Sequence, residues 1–327
     1  MPSVHKSVLL DETVAALEPK DGRIYVDATY GAGGISRALL EAADCEVLAI
    51  DQDPEAVERG RLMSRDFSGR FEILEGHFGS LDVLLRPVLA GRGREKVDGV
   101  TFDLGVSSPQ LDQAERGFSF QKDGPLDMRM SKSGRSAEDI VNDAEEAELA
   151  ELIRRFGEER QAGRIAKAIT RARAQRRITR TLELASLIAS VVRQSPEERI
   201  HPATRTFQAL RIALNDELKE LALGLSCAER LLREAGRLAV VSFHSLEDRI
   251  VKLFLSERSK PAPAPSRHAP PSARAAQPAT FRMLTKRAIM PSEAEAHENP
   301  RARSAKLRSA ERTSAPAVQL DLARFGI

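Results

Sequence analysis

Short runs of β-branched and apolar residues alternate with stretches of helical periodicity along the first hundred positions of the chain. Ile24 to Thr29 reads as a strand, Gly31 to Gly34 as a tight turn, and Ile35 to Ala43 as a helix. The unit then repeats. Glu46 to Asp51 is a second strand, Pro54 to Met63 a helix opened by proline in its first turn, and Phe71 to Glu75 a third strand. Leu81 to Ala90 is another helix and Val97 to Leu104 a fourth strand. Strands separated by helices pair in parallel through crossover connections, so this rhythm predicts a parallel sheet.

After Gln110 the rhythm stops and helical periodicity takes over. Leu149, Leu152, Ile153 and Phe156 recur at i, i+3, i+4 and i+7, as do Leu184, Leu187, Ile188 and Val191, and each set predicts one apolar helix face. Phe207, Leu210, Leu214, Leu218, Leu221 and Leu225 extend one face of a single long helix. Arg237 to Ser242, following Gly236, reads as a strand that resumes the sheet, and Phe281 to Met290 with Ala305 to Glu311 as a terminal hairpin closing it. The expected fold is therefore α/β: a Rossmann-like sheet formed by residues 1–110 and 207–327, interrupted by an inserted all-helical lobe over 111–206. Between Ser259 and Thr280 stand six Pro and seven Ala in 22 residues, a composition that predicts a flexible or partly extended loop.

With 327 residues, 42% of them hydrophobic and 30% charged, the chain has the makeup of a globular protein of one or two domains. No apolar run is long enough to cross a bilayer, and the N-terminal residues lack the apolar core of an export signal. Cys45 and Cys227 stand far apart without CxxC spacing, which points to neither a disulfide framework nor a zinc site. A cytoplasmic location without metal is expected. The net charge of +2 hides segments of opposite sign: Ser136 to Glu151 holds seven acids and no base, whereas Arg154 to Arg180 holds ten bases against two Glu. Arg164, Lys167, Arg171 and Arg173 form a candidate stripe for nucleic-acid phosphates, with a solvated helix face as the plainer alternative.

Two segments carry candidate chemistry. In Val26-Asp-Ala-Thr-Tyr-Gly-Ala-Gly-Gly34 a strand ends in a glycine-rich turn that opens a helix, so that backbone can approach a ligand and free N–H groups face it. Asp51 ends the next strand 20 residues after Gly31, where a carboxylate can accept both hydroxyls of a ribose. A dinucleotide fingerprint would need a third glycine where the chain has Ser36, which ranks S-adenosyl-L-methionine above NAD as cofactor. The second segment, Asp103-Leu-Gly-Val-Ser-Ser-Pro-Gln110, leaves the fourth strand at the sheet edge where ligands of open α/β folds gather. Methylating an exocyclic amine requires an acceptor that orients the nitrogen, because its lone pair is delocalised into the ring. Ser108, placed before proline, and Asp103 compete for that role.

The segments Asp103 to Asp112, Glu115-Arg-Gly-Phe-Ser-Phe120, Asp123-Gly-Pro-Leu-Asp-Met-Arg-Met130, His201 to Gln208, Ser242-Phe-His-Ser-Leu-Glu-Asp-Arg249 and Asn299-Pro-Arg-Ala-Arg-Ser304 resemble the signatures of the bacterial ribosomal RNA small-subunit methyltransferase H family. The resemblance implies a class I methyltransferase fold with a helical substrate-recognition lobe. It further implies methyl transfer to N4 of a cytidine in the decoding centre of 16S ribosomal RNA, with that RNA or the small ribosomal subunit as partner. Carried onto matching positions, it assigns cofactor contacts to Gly33, Gly34, Ile35, Asp51, Phe78, Asp103 and Gln110. Ile35 departs from the histidine expected there, a change without consequence if only its backbone meets the cofactor.

Arg116, Phe118 and Phe120 are candidates to clamp and stack a flipped nucleotide, with core packing as the alternative for both phenylalanines. His244, just after the resumed strand, can either touch the substrate or serve as a structural hydrogen-bonding residue. Three other classes remain open: an NAD-dependent dehydrogenase, a non-catalytic RNA-binding protein, and a DNA amino-methyltransferase, the last disfavoured by the lack of a large target-reading domain.

Overall fold

The structure, a computed structural model, describes residues 7–193, 200–260 and 278–327. Most of the Pro/Ala segment falls on residues 261–277, outside the described residues. The chain divides into two compact units, one of residues 1–105 with 218–327 and one of residues 106–217.

The first unit is built on a seven-stranded sheet of β1 (Ile24–Asp27), β2 (Glu46–Asp51), β3 (Phe71–Glu75), β4 (Val97–Asp103), β5 (Leu232–Ser242), β6 (Phe281–Met283) and β7 (Lys306–Arg312), in the order β3-β2-β1-β4-β5-β7-β6. The first five strands pair in parallel, while β7 runs antiparallel to both β5 and β6. Side chains alternate between the faces of the sheet, and both faces are buried. Val26, Leu48, Ile50, Val100, Phe102, Leu238 and Val240 pack with Leu81, Leu85, Leu225, Ile250 and Phe254 of the helices Leu81–Gly91, Glu217–Leu231 and Ser245–Arg258. Tyr25, Val47, Ala49, Ala239 and Val241 face the opposite layer, formed by Leu17, Leu39, Leu40, Ala56 and Met63 of the helices Leu10–Leu17, Gly34–Ala42 and Pro54–Met63. Among the described residues no helix is long and apolar enough to cross a membrane.

The terminal hairpin is shorter than the sequence pattern predicts. β6 stops at Met283, and beyond it Ile289 makes one isolated bridge to Leu307. β5 is longer than expected and starts at Leu232. It carries Ala235 at φ 60°, and its pairing with β4 shifts register between Val97 and Gly99. Fully buried Glu229 pairs with Arg258 at 3.2 Å, and Arg312 at the end of β7 donates to the Glu229 carbonyl at 2.9 Å.

The unit of residues 106–217 has a separate core, formed by Leu149 and Ile153 of the helix Glu146–Gly157, Ile165 and Ile169 of Ala162–Arg173, Leu184 and Ile188 of Thr181–Val191, and Phe207 and Leu210 of Thr204–Leu214. Phe207 and Leu210 thus belong to the helical core, and the later boundary falls at residue 217 rather than near 206. The long helix expected from Phe207 to Leu225 is two helices. Asp216 adopts a left-handed φ of 49°, which no α-helix accommodates, and Thr204–Leu214 ends before it while Glu217–Leu231 begins after it. The apolar phase runs through the break, so periodicity alone could not reveal it.

Asn215 holds the break. Its side-chain oxygen accepts the Met130 N–H at 2.9 Å, and its amide donates to the carbonyls of Met128 at 3.0 Å and Arg211 at 2.9 Å. Asn215→Ala leaves three backbone groups without that partner and should destabilise the protein by about 1–3 kcal/mol, read from urea unfolding. An unchanged midpoint would show that the break is held by other contacts.

Candidate functional site

The strand order reverses between β1 and β4: the chain moves outward from β1 to β2 and β3, then returns to lay β4 along the other side of β1. Crevices at such reversals, beyond the carboxyl ends of the strands, hold the ligands of open α/β sheets. Here the ends are Asp27 on β1, Asp51 on β2 and Asp103 on β4.

The turn after β1 is shaped by glycine. Gly31 and Gly33 have left-handed φ values of 54° and 83°, and a Cβ on Gly33 would lie 2.6 Å from the Tyr30 hydroxyl. The next helix, Gly34–Ala42, begins at once, so its first N–H groups face the end of the sheet. Asp51 is held by the backbone: its Oδ2 accepts the Gly31 N–H at 2.7 Å and its Oδ1 the Asp53 N–H at 2.9 Å. Each oxygen still has a lone pair for a hydroxyl donor. Arg59 donates to the Gly31 carbonyl at 3.1 Å, fixing the turn from the other side. Ser36, standing where a dinucleotide fingerprint has glycine, donates its hydroxyl to Asp27 Oδ2 at 2.7 Å.

Three acids therefore act on one another, Asp27 buried and Asp51 and Asp103 partly buried, with little to neutralise them. Burial pushes Asp27 up to about 6, against the opposing hydrogen bonds from Ser36 and the Thr29 N–H. Burial also raises Asp51, partly offset by the Asp53 and Gly31 N–H groups. Asp103 is the extreme case: burial first, then the charges of Asp27 and Glu247, push it up to about 8. Its Oδ1 is enclosed and has no hydrogen-bond partner, while its N–H donates to the Thr29 hydroxyl at 2.6 Å. An enclosed acceptor without a donor, a glycine cradle and a backbone-held carboxylate fit a cofactor carrying both a ribose and a positive charge.

The remaining candidates of the sheet unit divide between site and scaffold. The Gly34 N–H belongs to the opening of the helix, whereas the Ile35 side chain is buried in the core and only its backbone can meet a ligand. Half-buried Phe78 sets its ring edge-on against Phe102 at 5.6 Å. His244 caps the helix Ser245–Arg258, its Nδ1 accepting the Glu247 N–H at 3.4 Å. Its Nε2 lies 3.1 Å from Glu247 Oε1 but without hydrogen-bond alignment. Glu247 Oε2 accepts the N–H groups of Phe243 at 2.8 Å and His244 at 3.2 Å. The structural reading of His244 is the one its contacts favour.

In the helical unit, Ser108 opens the short helix Ser108–Asp112, with Pro109 in its first turn. Buried Gln110 accepts the Ser107 N–H at 3.0 Å. Arg116 is buried, donates to the carbonyls of Arg129 at 3.1 Å and Met130 at 3.3 Å, and lies over the buried Phe118 ring at 5.6 Å. Phe120 packs 4.8 Å from the rings of both His201 and Phe207. These three candidates therefore brace the lobe, and of them Phe120 keeps partial exposure. On the helix Ala162–Arg173, exposed Arg164, Lys167 and Arg171 share one face at steps of three and four residues. Arg173 lies on the opposite side, nine residues and about 180° from Arg164. It donates to the carbonyls of Val141 at 2.8 Å and Ala144 at 2.6 Å, which removes it from the stripe.

Sequence reasoning did not single out Asp27, Arg59 or Glu247. Asp27 had a usable signal, a carboxylate closing an otherwise apolar strand, and Glu247 stands three residues after the cap of its helix; Arg59 is brought in only by tertiary contacts.

The sheet order and the glycine turn beside the backbone-held Asp51 are those of a Rossmann-like class I methyltransferase fold. The chain belongs to the MraW methylase family, whose model matches residues 2–313. It is 56% identical over 324 residues to the ribosomal RNA small subunit methyltransferase H of Parvibaculum lavamentivorans, covering 99% of this chain and 94% of that protein. It is 57% identical over 316 residues to the protein of the same name from Paramagnetospirillum magneticum, covering 97% of this chain and 98% of that one.

A pH dependence follows from Asp103. The folded chain keeps its proton up to about pH 8, whereas an unfolded chain releases it near 3.8, so across that window the folded form binds more protons. The Asp103 contribution must therefore make the ligand-free protein less stable as pH rises from about 4 to about 8. Asp103→Asn cannot ionise. Urea unfolding at several pH values should show the variant gaining on the parent through this window, and parallel curves would refute the assignment.

Proposed function

We propose that this chain transfers a methyl group from S-adenosyl-L-methionine to N4 of a cytidine in the decoding centre of 16S ribosomal RNA. The observation that carries the cofactor reading is Asp51, whose two oxygens are aimed by the Gly31 and Asp53 N–H groups beside a glycine turn that opens a helix. The substrate reading comes from family membership and from relatives named as small-subunit ribosomal RNA methyltransferases. The enzyme would meet its substrate, 16S RNA or the small subunit, in the cytoplasm.

When bound, the cofactor supplies a methyl group on a positively charged sulfur. The chain's own residues do the rest. Gly33, Gly34 and the Ile35 backbone receive the cofactor's polar end, Asp51 its ribose hydroxyls, Phe78 its base, and Asp103 and Gln110 complete the contacts. Ser108 accepts a hydrogen bond from the target amine, which favours the geometry in which the nitrogen lone pair leaves conjugation and points at the methyl carbon. Residues 106–217 form the substrate-recognition lobe, with Phe120 as the accessible aromatic and Arg164, Lys167 and Arg171 toward phosphates. His244, Arg116, Phe118 and Arg173 support these positions without contacting RNA.

Small subunits from a strain lacking this enzyme, incubated with radiolabelled adenosylmethionine, should acquire label at a single 16S cytidine; label elsewhere or none would overturn the reading. Asp51→Ala should weaken cofactor binding by about 2–3 kcal/mol, measured by calorimetry. Ser108→Ala should leave that affinity nearly intact and slow single-turnover methylation, because it removes a contact strongest in the transition state. Methylation at the parental rate would transfer amine positioning elsewhere.

The lobe reading has its own measure. Replacing two of Arg164, Lys167 and Arg171 by Gln should reduce the slope of log affinity for RNA against log salt by about 1–2 while sparing cofactor binding. An unmoved slope would make the stripe a solvated face.

A further inference from the structure

The end of β4 contains a partly buried carboxyl group, one oxygen of which the fold has enclosed without a partner. Asp103 Oδ1 is enclosed and accepts no hydrogen bond, and the charged groups nearest to it are themselves acids. Asp27 closes the adjacent strand, with both oxygens already engaged by Ser36 and the Thr29 N–H. Glu247, from the first turn of the helix after β5, is buried and engaged by the Phe243 and His244 N–H groups. Asp51 stands one strand further out and acts on Asp27, and the cation in that neighbourhood, Arg59, is turned to Asp51 and the Gly31 carbonyl. His244 is turned to Glu247. Among the described residues of this unit, then, the charged groups acting on Asp103 are acids.

Such an arrangement disfavours full negative charge at neutral pH until a cation arrives. S-adenosyl-L-methionine brings one. Its sulfonium and ammonium outweigh its carboxylate, so it enters with one net positive charge. We propose that Asp103 carries a proton in the cofactor-free protein and releases it to solvent when the cofactor binds, so that cofactor loading is coupled to proton release. The step balances as a neutral carboxyl plus a cationic ligand giving a carboxylate paired with that ligand and one proton taken up by buffer. The inference rests on the cofactor reading of this site.

The coupling has a direction. Burial and the neighbouring acids hold Asp103 near 8, so around pH 7 the free protein has the proton to give and the bound protein does not retain it. Cofactor affinity must then climb with pH, by up to tenfold per unit, and level off above about pH 8. Asp27, near 6, is mostly ionised at pH 7 and adds little to the release there.

The test is titration calorimetry of the full chain with adenosylmethionine at pH 7 in two buffers of low and high ionisation enthalpy, phosphate and Tris. Support is a difference in observed enthalpy corresponding to release of about one proton, falling toward zero at pH 9. Asp103→Asn should abolish the buffer dependence while binding stays measurable; if that variant does not fold, the parental comparison between pH 7 and pH 9 decides alone. Binding with the same enthalpy in both buffers and a flat affinity from pH 6 to 8 overturns the coupling and leaves the cofactor reading standing. No binding at any pH overturns the cofactor reading, and the coupling with it.

Discussion

β1 and β4 are separated by two strands and three helices in sequence, yet they lie side by side, and the site depends on that pairing. It sets Asp27 and Asp103 at adjacent strand ends and lets the Asp103 N–H reach the Thr29 hydroxyl at 2.6 Å. A parallel sheet buried on both faces favours charged groups where its strands run out, so chemistry and packing are largely separated by position along each strand. The apolar residues of Val100 and Phe102 are fully buried, and the next residue in the strand is the acid.

The same pairing explains why the acids are tolerated. Each buried carboxylate is costly by itself, and the structure meets the cost unevenly. Asp51 and Asp27 receive backbone or hydroxyl donors, whereas Asp103 Oδ1 receives none. The left-handed glycine turn and the unsatisfied acid both lie at the carboxyl ends of the strands. Elsewhere in the unit buried charges such as Glu229 and Arg258 are paired.

Much of this was legible in the sequence, because parallel strands buried on both faces leave clear apolar runs. β2, β3 and the helix Pro54–Met63 fall where the pattern puts them, and the turn with Asp51 was readable from glycine spacing. Features fixed by single side chains were not. The break at Asn215 and Asp216 keeps the apolar phase of the helices around it. Arg116 and Arg173 look like RNA-binding residues in a one-dimensional string, and only the structure shows their guanidinium groups donating to backbone carbonyls. Short helices such as Leu10–Leu17 and Glu293–Glu298 lacked enough turns to leave a periodic signal.

The position of β7 has a consequence for how the protein is made. Among the described residues β7 is the last strand in sequence, but it is not at the edge of the sheet: it fits between β5 and β6 and pairs with both. During synthesis the rest of the sheet must wait with the β5 side open, presenting unpaired N–H and C=O groups of an apolar strand. Completion of the sheet therefore waits until β7 has been made. In that interval a nascent chain is most exposed to aggregation, and a chaperone holding the β5 edge would have most to protect.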